Sequence, residues 1–77
     1  MSLDFNQIVI AVLESNVANL QLGGDMMDHT LGDLGVDSLD VMLVLMDVQE
    51  KTGVAIPDER VDELNTPNKI VAFLKAS

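Results

Sequence analysis

The chain has 77 residues, 13 acidic and 4 basic, and a formal net charge of −9. Four scattered basic residues argue against a nucleic-acid-binding protein, and the absence of cysteine excludes disulfide bonds and thiolate metal sites. The longest apolar runs have six residues, whereas a membrane span needs about 20. Because 48% of the residues are hydrophobic, the chain can still build a core. We expect residues 1–77 to form one soluble, cytoplasmic domain.

The first predicted element is an amphipathic helix. Its apolar residues follow the spacing of one helical face, and they are Phe5, Ile8, Val9, Val12 and Leu13. Ser2 or Asp4 can accept a hydrogen bond from the free N–H groups at the start of the helix. The polar residues 14–16 weaken its end.

A long connection without a sustained period covers residues 16–36. A connection of about 20 residues in so small a domain is usually an anchored or functional loop. Six apolar residues recur along it as candidate anchors: Val17, Leu20, Leu22, Leu31, Leu34 and Val36. We expect an ordered loop that packs over the helices, with one helical turn near Leu31.

The strongest helix signal starts at Asp37. This residue can cap the first free N–H groups, and Asp40 follows it at the spacing of a capping box. We expect the helix to run to Lys51, after which Gly53 supplies a left-handed stop. Residues 41–46 are apolar on all sides of the helix. One side should therefore face the core, and the opposite side should contact something other than the core.

Two proline-marked starts predict the remaining helices. Pro57 precedes a short third helix that carries Val61 and Leu64, and Thr66 with Pro67 begins a fourth helix. With only two aromatic residues in the chain, the core must be aliphatic, which favours helices over strands. The predicted fold class is therefore all-α: a four-helix bundle with a short third helix and a long loop between helices I and II.

The residues offer no grouping that could catalyse a reaction. The only histidine, His29, follows Asp25 and Asp28 in the loop, and this spacing matches no common metal-ligand pattern. Ser38 lies in the first turn of the second helix, but no base close in sequence can activate it. Serine is also frequent at helix starts simply as a cap. We expect neither an enzyme nor a metal site.

The sequence around Ser38 resembles the attachment motif of acyl carrier proteins. The motif reads LGDLGVDSLD over residues 31–40, and residues 53–59 follow as GVAIPDE. The resemblance extends over essentially the whole chain, in order, in length and in charge. It implies a four-helix fold and a 4′-phosphopantetheine arm, which a phosphopantetheinyl transferase attaches to the Ser38 hydroxyl from coenzyme A. The thiol of such an arm holds an acyl group as a thioester.

The resemblance also implies a docking surface and an acyl pocket. The docking surface would meet acyl-loading and chain-processing enzymes that have basic docking patches, and its candidates are Asp37, Leu39, Asp40, Val41, Leu43, Met46, Asp47 and Glu50. The pocket would lie between the second and third helices, and its candidates are Val44, Leu45, Val48, Ile56, Val61 and Leu64. Ordinary core packing explains each pocket candidate equally well. A charge of −9 fits brief encounters with basic partners, and we expect a monomer.

Several positions depart from the usual pattern of fatty-acid carriers. Leu43, Gln49 and Lys51 stand where acidic residues are frequent, which suggests a specialised pathway such as polyketide or modified-lipid synthesis. Residues 65–71 resemble D-alanyl carrier proteins, an aminoacyl class whose motif has phenylalanine where Leu39 stands. A different class of function also remains open, namely an acidic helical interaction module in which residues 41–46 form a partner groove and Ser38 is only a helix cap.

Overall fold

The computed structural model describes residues 4–17 and 20–77. In chain order the elements are α1 (Phe5–Asn16), a first 3₁₀ helix (Gly24–Asp28), α2 (Ser38–Thr52), a second 3₁₀ helix (Asp58–Glu63) and α3 (Pro67–Ala76). The described residues contain no β-strand, so the predicted all-α class is confirmed.

Side-chain caps fix the starts of α1 and α3. The Asp4 carboxylate accepts a hydrogen bond from Gln7 N at 3.2 Å, and the Thr66 hydroxyl accepts one from Lys69 N at 3.1 Å. Each bond satisfies an amide donor that the first turn of a helix leaves without a partner. The alternative cap predicted for α1, Ser2, lies outside the described residues.

Buried aliphatic side chains hold the elements together. α1 packs against both α2 and α3, and α3 also contacts the first 3₁₀ helix. The buried apolar residues are Val9, Val12, Leu13, Met27, Leu31, Leu34, Val36, Val44, Leu45, Val48, Ile56, Leu64, Ile70, Val71 and Leu74. Phe5 and Phe73 are only partly buried, so the core is aliphatic, as the composition predicts. Complete burial of one large aliphatic side chain contributes about 1.5–3 kcal/mol to the free energy of unfolding.

The connection between α1 and α2 packs over the core, as predicted. Of its six candidate anchors, three are buried in the structure and the other three are partly buried. Residues 31–35 form a turn, in which Leu34 N and Val36 N donate to Leu31 O at 3.1 and 2.9 Å. The N–H group of Leu31 itself donates a hydrogen bond to Asn65 O at 2.8 Å. This bond ties the loop to the segment that precedes α3.

The first 3₁₀ helix was not predicted, because Gly24–Asp28 carries no periodic apolar face. Tertiary contacts hold it in place: Met27 is buried in the core, and the Asn68 side chain donates a hydrogen bond to the Asp28 carboxylate. The turn predicted near Leu31 is therefore preceded by a helical segment that was not predicted.

The predicted short third helix is present, but it is a 3₁₀ helix. Arg60 N donates to Pro57 O and Leu64 N donates to Val61 O, both over three residues. Four of the six residues of Asp58–Glu63 are acidic, and none of the six is buried. A segment with so little apolar surface has nothing to stabilise a longer α-helix.

Gly53 ends α2 in the left-handed conformation, with φ of +73°. A Cβ built there would meet no atom within 4 Å, so the cost of a side chain is conformational and not steric. We expect Gly53→Ala to lower the free energy of unfolding by about 1–2 kcal/mol. Urea unfolding followed by circular dichroism measures this difference.

Gly23 provides the matched control for this substitution. A Cβ would also meet nothing within 4 Å there, but its φ of −99° and ψ of 176° suit any residue. We expect Gly23→Ala to keep the stability or raise it by up to about 1 kcal/mol, because alanine restricts the unfolded chain. Equal losses in the two variants would contradict the left-handed end of α2.

Candidate functional site

Ser38 is the first residue of α2, and its side chain is exposed. Val36 lies two residues before Ser38 and directly after the turn at residues 31–35. Its buried side chain fixes the backbone at this point. No hydrogen bond joins the Ser38 hydroxyl to another described residue. The serine is therefore held by the backbone, while its oxygen remains open to a reagent from solvent.

Asp37 caps α2 and shapes the surroundings of Ser38. One carboxylate oxygen of Asp37 accepts a hydrogen bond from Asp40 N at 3.0 Å, and its backbone carbonyl accepts one from Val41 N at 2.9 Å. Only this half of the predicted capping box is formed among the described residues. The N–H groups of Ser38 and Leu39 have no acceptor within the helix, because an α-helix leaves its first amides unpaired. Together with the helix dipole, these amides suit an anion bound to the serine.

A cleft of about 630 Å³ opens beside Ser38, between the loop, the start of α2 and the second 3₁₀ helix. This volume lies in the range of small-molecule pockets, about 300–1,000 Å³. The residues that line the cleft are Thr30, Leu31, Gly32, Ser38, Val41, Met42, Val61, Asp62, Leu64 and Asn65. An apolar cleft that starts at the serine can shelter a group attached there.

The six predicted pocket residues are divided between the cleft and the core. Val61 and Leu64 lie in the wall of the cleft. The other four, Val44, Leu45, Val48 and Ile56, are buried and do not line it. Most of the wall was not predicted, because residues 30–32 approach residues 61–65 through a tertiary contact. The hydrogen bond between Leu31 and Asn65 holds this contact in place. The binding of an acyl chain by any of these residues stays a prediction.

The outward side of α2 carries a continuous apolar surface. Leu39 is 78% exposed and Leu43 is 54% exposed, and both were predicted as docking residues together with Met46, which is also exposed. Met42 is exposed beside them and was not among the predicted docking residues of a carrier. The spacing of these four residues places them along one helical face. We call Leu39, Met42, Leu43 and Met46 the α2 apolar stripe.

The predicted acidic docking residues differ in how freely their charge is displayed. Asp37 and Glu50 are exposed, whereas Asp40 is half-buried. Asp47 is half-buried and already paired: its carboxylate accepts hydrogen bonds from the Lys51 ammonium at 3.0 Å and from the Asn16 amide at 3.4 Å. Val41, the remaining candidate, is half-buried and faces the cleft. The outward face of α2 is thus more apolar than acidic.

The loop residues considered for a metal do not assemble a site. Asp25, Asp28 and His29 are exposed, and among the residues that the structure describes no group of three or more acidic or histidine side chains could hold an ion. Within residues 4–17 and 20–77, no helix has both the length and the apolar character that a membrane span requires.

Comparison with known proteins relates this geometry to a family. Residues 7–74 match the family model described as a phosphopantetheine attachment site. An acyl carrier protein of Exiguobacterium sp. is 38% identical over 74 residues, which cover 90% of this chain and 91% of that protein. An acyl carrier protein of Tropheryma whipplei is 31% identical over 80 residues, which cover 100% of this chain and 98% of that protein.

A mitochondrial relative is longer than this chain. The acyl carrier protein of Saccharomyces cerevisiae mitochondria is 36% identical over 62 residues, which cover 80% of this chain. The chain spans only 48% of the yeast protein, about half of its length.

Two substitutions distinguish the capping hydrogen bond of Asp37 from the effect of its negative charge. We expect Asp37→Ala to lower the free energy of unfolding by about 1 kcal/mol, because it removes the acceptor for Asp40 N. Asp37→Asn keeps an acceptor oxygen and should stay close to the wild type. Urea unfolding gives the stabilities, and hydrogen exchange at the Asp40 amide reports the first turn. If Asn destabilised the protein as much as Ala does, the charge and not the hydrogen bond would be responsible.

Proposed function

The chain belongs to the acyl carrier protein family, whose members have a phosphopantetheine attachment site, and on this premise we propose that Ser38 carries the arm. The protein then carries acyl intermediates as thioesters and delivers them to partner enzymes of fatty-acid, polyketide or related lipid biosynthesis. One observation above all supports this proposal: the Ser38 side chain is exposed at the first position of α2, directly after a capped and anchored turn.

The attachment step uses Ser38 as a nucleophile that another protein must activate. Its hydroxyl oxygen forms a bond to the phosphorus of coenzyme A that bears pantetheine, the bond from that phosphorus to the adenine nucleotide breaks, and the phosphopantetheinyl transferase accepts the hydroxyl proton. No described side chain is hydrogen-bonded to the hydroxyl, so none of the described residues is placed to act as its base. It is a substrate of the transferase and a carrier, as members of its family are, rather than a catalyst.

The residues around Ser38 fit the resulting phosphodiester. The free N–H groups of Ser38 and Leu39 and the positive end of the α2 dipole favour an anion at this place. The carboxylates of Asp37 and Asp40 oppose it, so the attached group is held loosely. When bound, the arm supplies the terminal thiol on which an acyl group is held as a thioester.

The cleft beside Ser38 is the proposed route by which an acyl chain leaves water. Its wall contains Val61 and Leu64, whereas Val44, Val48 and Ile56 are buried and would meet the chain only after part of the structure moved. Burial of an alkyl chain gains about 0.8 kcal/mol for each methylene, which gives such motion a driving force.

Docking is proposed on α2, with partner enzymes that present basic patches. The acids Asp37, Asp40 and Glu50 steer such partners by charge, and the α2 apolar stripe supplies the contact surface. Asp47 contributes less than the sequence suggests, because Lys51 already pairs with it. We further propose that the protein acts in the cytoplasm as a monomer.

The relatives favour an acyl cargo over the aminoacyl alternative. The relatives from Exiguobacterium sp. and Tropheryma whipplei, which align with at least 90% of this chain, are both named acyl carrier proteins. In addition, Leu39 stands where D-alanyl carriers have phenylalanine. The alternative of a plain interaction module predicts that Ser38 is never modified. It is therefore distinguished from the carrier by a single mass measurement.

The carrier proposal predicts one covalent adduct. We expect the intact mass of the apo-protein to rise by one phosphopantetheine after incubation with coenzyme A and a broad-specificity phosphopantetheinyl transferase. Ser38→Ala should remove the adduct completely, because it removes the only oxygen proposed as the attachment point.

Ser15→Ala is the matched control, since Ser15 is an exposed helical serine far from the motif in sequence. This variant should gain the same adduct as the wild type. An unchanged mass of the wild type, or an adduct that survives in Ser38→Ala, would refute the attachment site.

Substitution of Leu43 tests whether this residue makes the proposed docking face differ from that of ordinary fatty-acid carriers. Its side chain is exposed, so Leu43→Glu should leave the core intact. With a fatty-acid acyl-loading enzyme that has a basic docking patch, we expect the association rate to rise about threefold at low salt and this gain to vanish in about 1 M salt, because screening removes steering. Leu43→Gln, similar in size but neutral, should show no gain. Equal rates for Glu and Gln would contradict the role assigned to Leu43.

A further inference from the structure

Solvent reaches the four described methionines to very different extents. Met46 is 59% exposed and Met42 is 44% exposed, whereas Met27 lies in the core with 9% exposed. Met26 is half-buried, and its sulfur accepts a hydrogen bond from Gly23 N at 3.4 Å. Met42 and Met46 are four residues apart on α2, so their side chains lie on adjacent turns of one face. Among these four thioethers, a small polar reagent therefore meets those of Met42 and Met46 first.

We propose that Met42 and Met46 form a paired oxidation site, at which a peroxide converts both thioethers to sulfoxides and thereby switches off docking on α2. In each step the sulfur attacks one peroxide oxygen, an S–O bond forms and the O–O bond breaks. The sulfur loses two electrons, and hydrogen peroxide is reduced to water. The chain has no cysteine, so methionine thioethers are the only sulfur groups of the apo-protein.

Oxidation at these two positions changes the docking surface and leaves the core in place. A thioether packs as an apolar group, whereas a sulfoxide is polar and retains water. Met42 and Met46 make up half of the α2 apolar stripe, beside Leu39 and Leu43. Val48, on the opposite side of the helix, is fully buried and remains untouched. This inference rests on the proposed function, because it takes the stripe to be the docking surface.

The same exposure makes the modification reversible. Methionine sulfoxide reductases act on each sulfoxide epimer and need access to the side chain. They can reach Met42 and Met46 in the folded protein, whereas oxidation of Met27 would place a polar group in the core and require unfolding for repair. The paired site thus behaves as a switch.

The test uses the apo-protein, so that no thiol of the arm competes for the oxidant. The protein is treated with hydrogen peroxide for increasing times, and the peroxide is then removed. Peptide mapping shows the order in which the methionines are oxidised. Transfer of the arm from coenzyme A by a broad-specificity phosphopantetheinyl transferase reports docking. We expect Met42 and Met46 to oxidise before Met26 and Met27, circular dichroism to stay unchanged, and kcat/KM to fall at least about fivefold, a loss of about 1 kcal/mol. Methionine sulfoxide reductases should restore the rate.

Two double variants serve as controls, each compared with its own untreated sample so that any change in the basal rate cancels. Met42→Leu with Met46→Leu should lose less than about half of its rate after peroxide, because leucine is not oxidised. Met26→Leu with Met27→Leu should lose as much as the wild type. Unchanged kcat/KM of the oxidised wild type, or an equal loss in the Met42 and Met46 double variant, would overturn the inference.

Failure of this inference can be told apart from failure of the proposed function. If the untreated wild type gains no adduct, Ser38 is not the attachment site and the carrier proposal fails. If the adduct forms at a rate that peroxide does not change, the carrier proposal stands and the oxidation switch alone is refuted.

Discussion

The start of α2 is the constraint on which the proposed carrier role depends. The buried side chains of Leu31 and Val36 anchor a turn that is closed by the hydrogen bond from Val36 N to Leu31 O at 2.9 Å, and Asp37 then caps the helix. Because the backbone is fixed on both sides, Ser38 can be exposed without being displaced. An attachment residue needs both properties, since the transferase must reach its oxygen and every later partner must find the arm in the same place.

α2 must also satisfy two apolar requirements at once. Its inner side completes the core through Val44 and Val48, while Leu39, Leu43 and Met46 face solvent on the outer side. An exposed apolar stripe promotes self-association unless something opposes it. The net charge of −9 supplies that opposition between identical copies and, under the proposed function, attracts partners that have basic patches. The acidic composition of the chain therefore offsets the tendency of the α2 apolar stripe to self-associate.

Local chemistry predicted the parts of the fold that depend on few residues. Asp37, Thr66 and Gly53 mark helix ends because caps and left-handed stops involve neighbours in sequence. The first 3₁₀ helix escaped prediction because Met27 anchors it only through the assembled core. Met42 was missed because a run that is apolar all round does not say which side faces out. Its spacing of three residues from Leu39 was the available signal.

The division of the predicted pocket between cleft and core identifies the element that would have to move. Val44 and Val48 are fully buried on α2, the element whose start must stay fixed for Ser38. The second 3₁₀ helix on the other side of the cleft has no buried residue. Val61 packs partly buried against the core, and the Arg60 guanidinium lies 5.6 Å from the centre of the Phe73 ring. The firmer anchors, the buried Leu64 and the bond between Leu31 and Asn65, follow the helix. Segments that open for ligands come from the weakly anchored part of a structure. Under the proposed function, cargo would therefore enter by displacing the second 3₁₀ helix, while α2 would keep the arm and the proposed docking face in position.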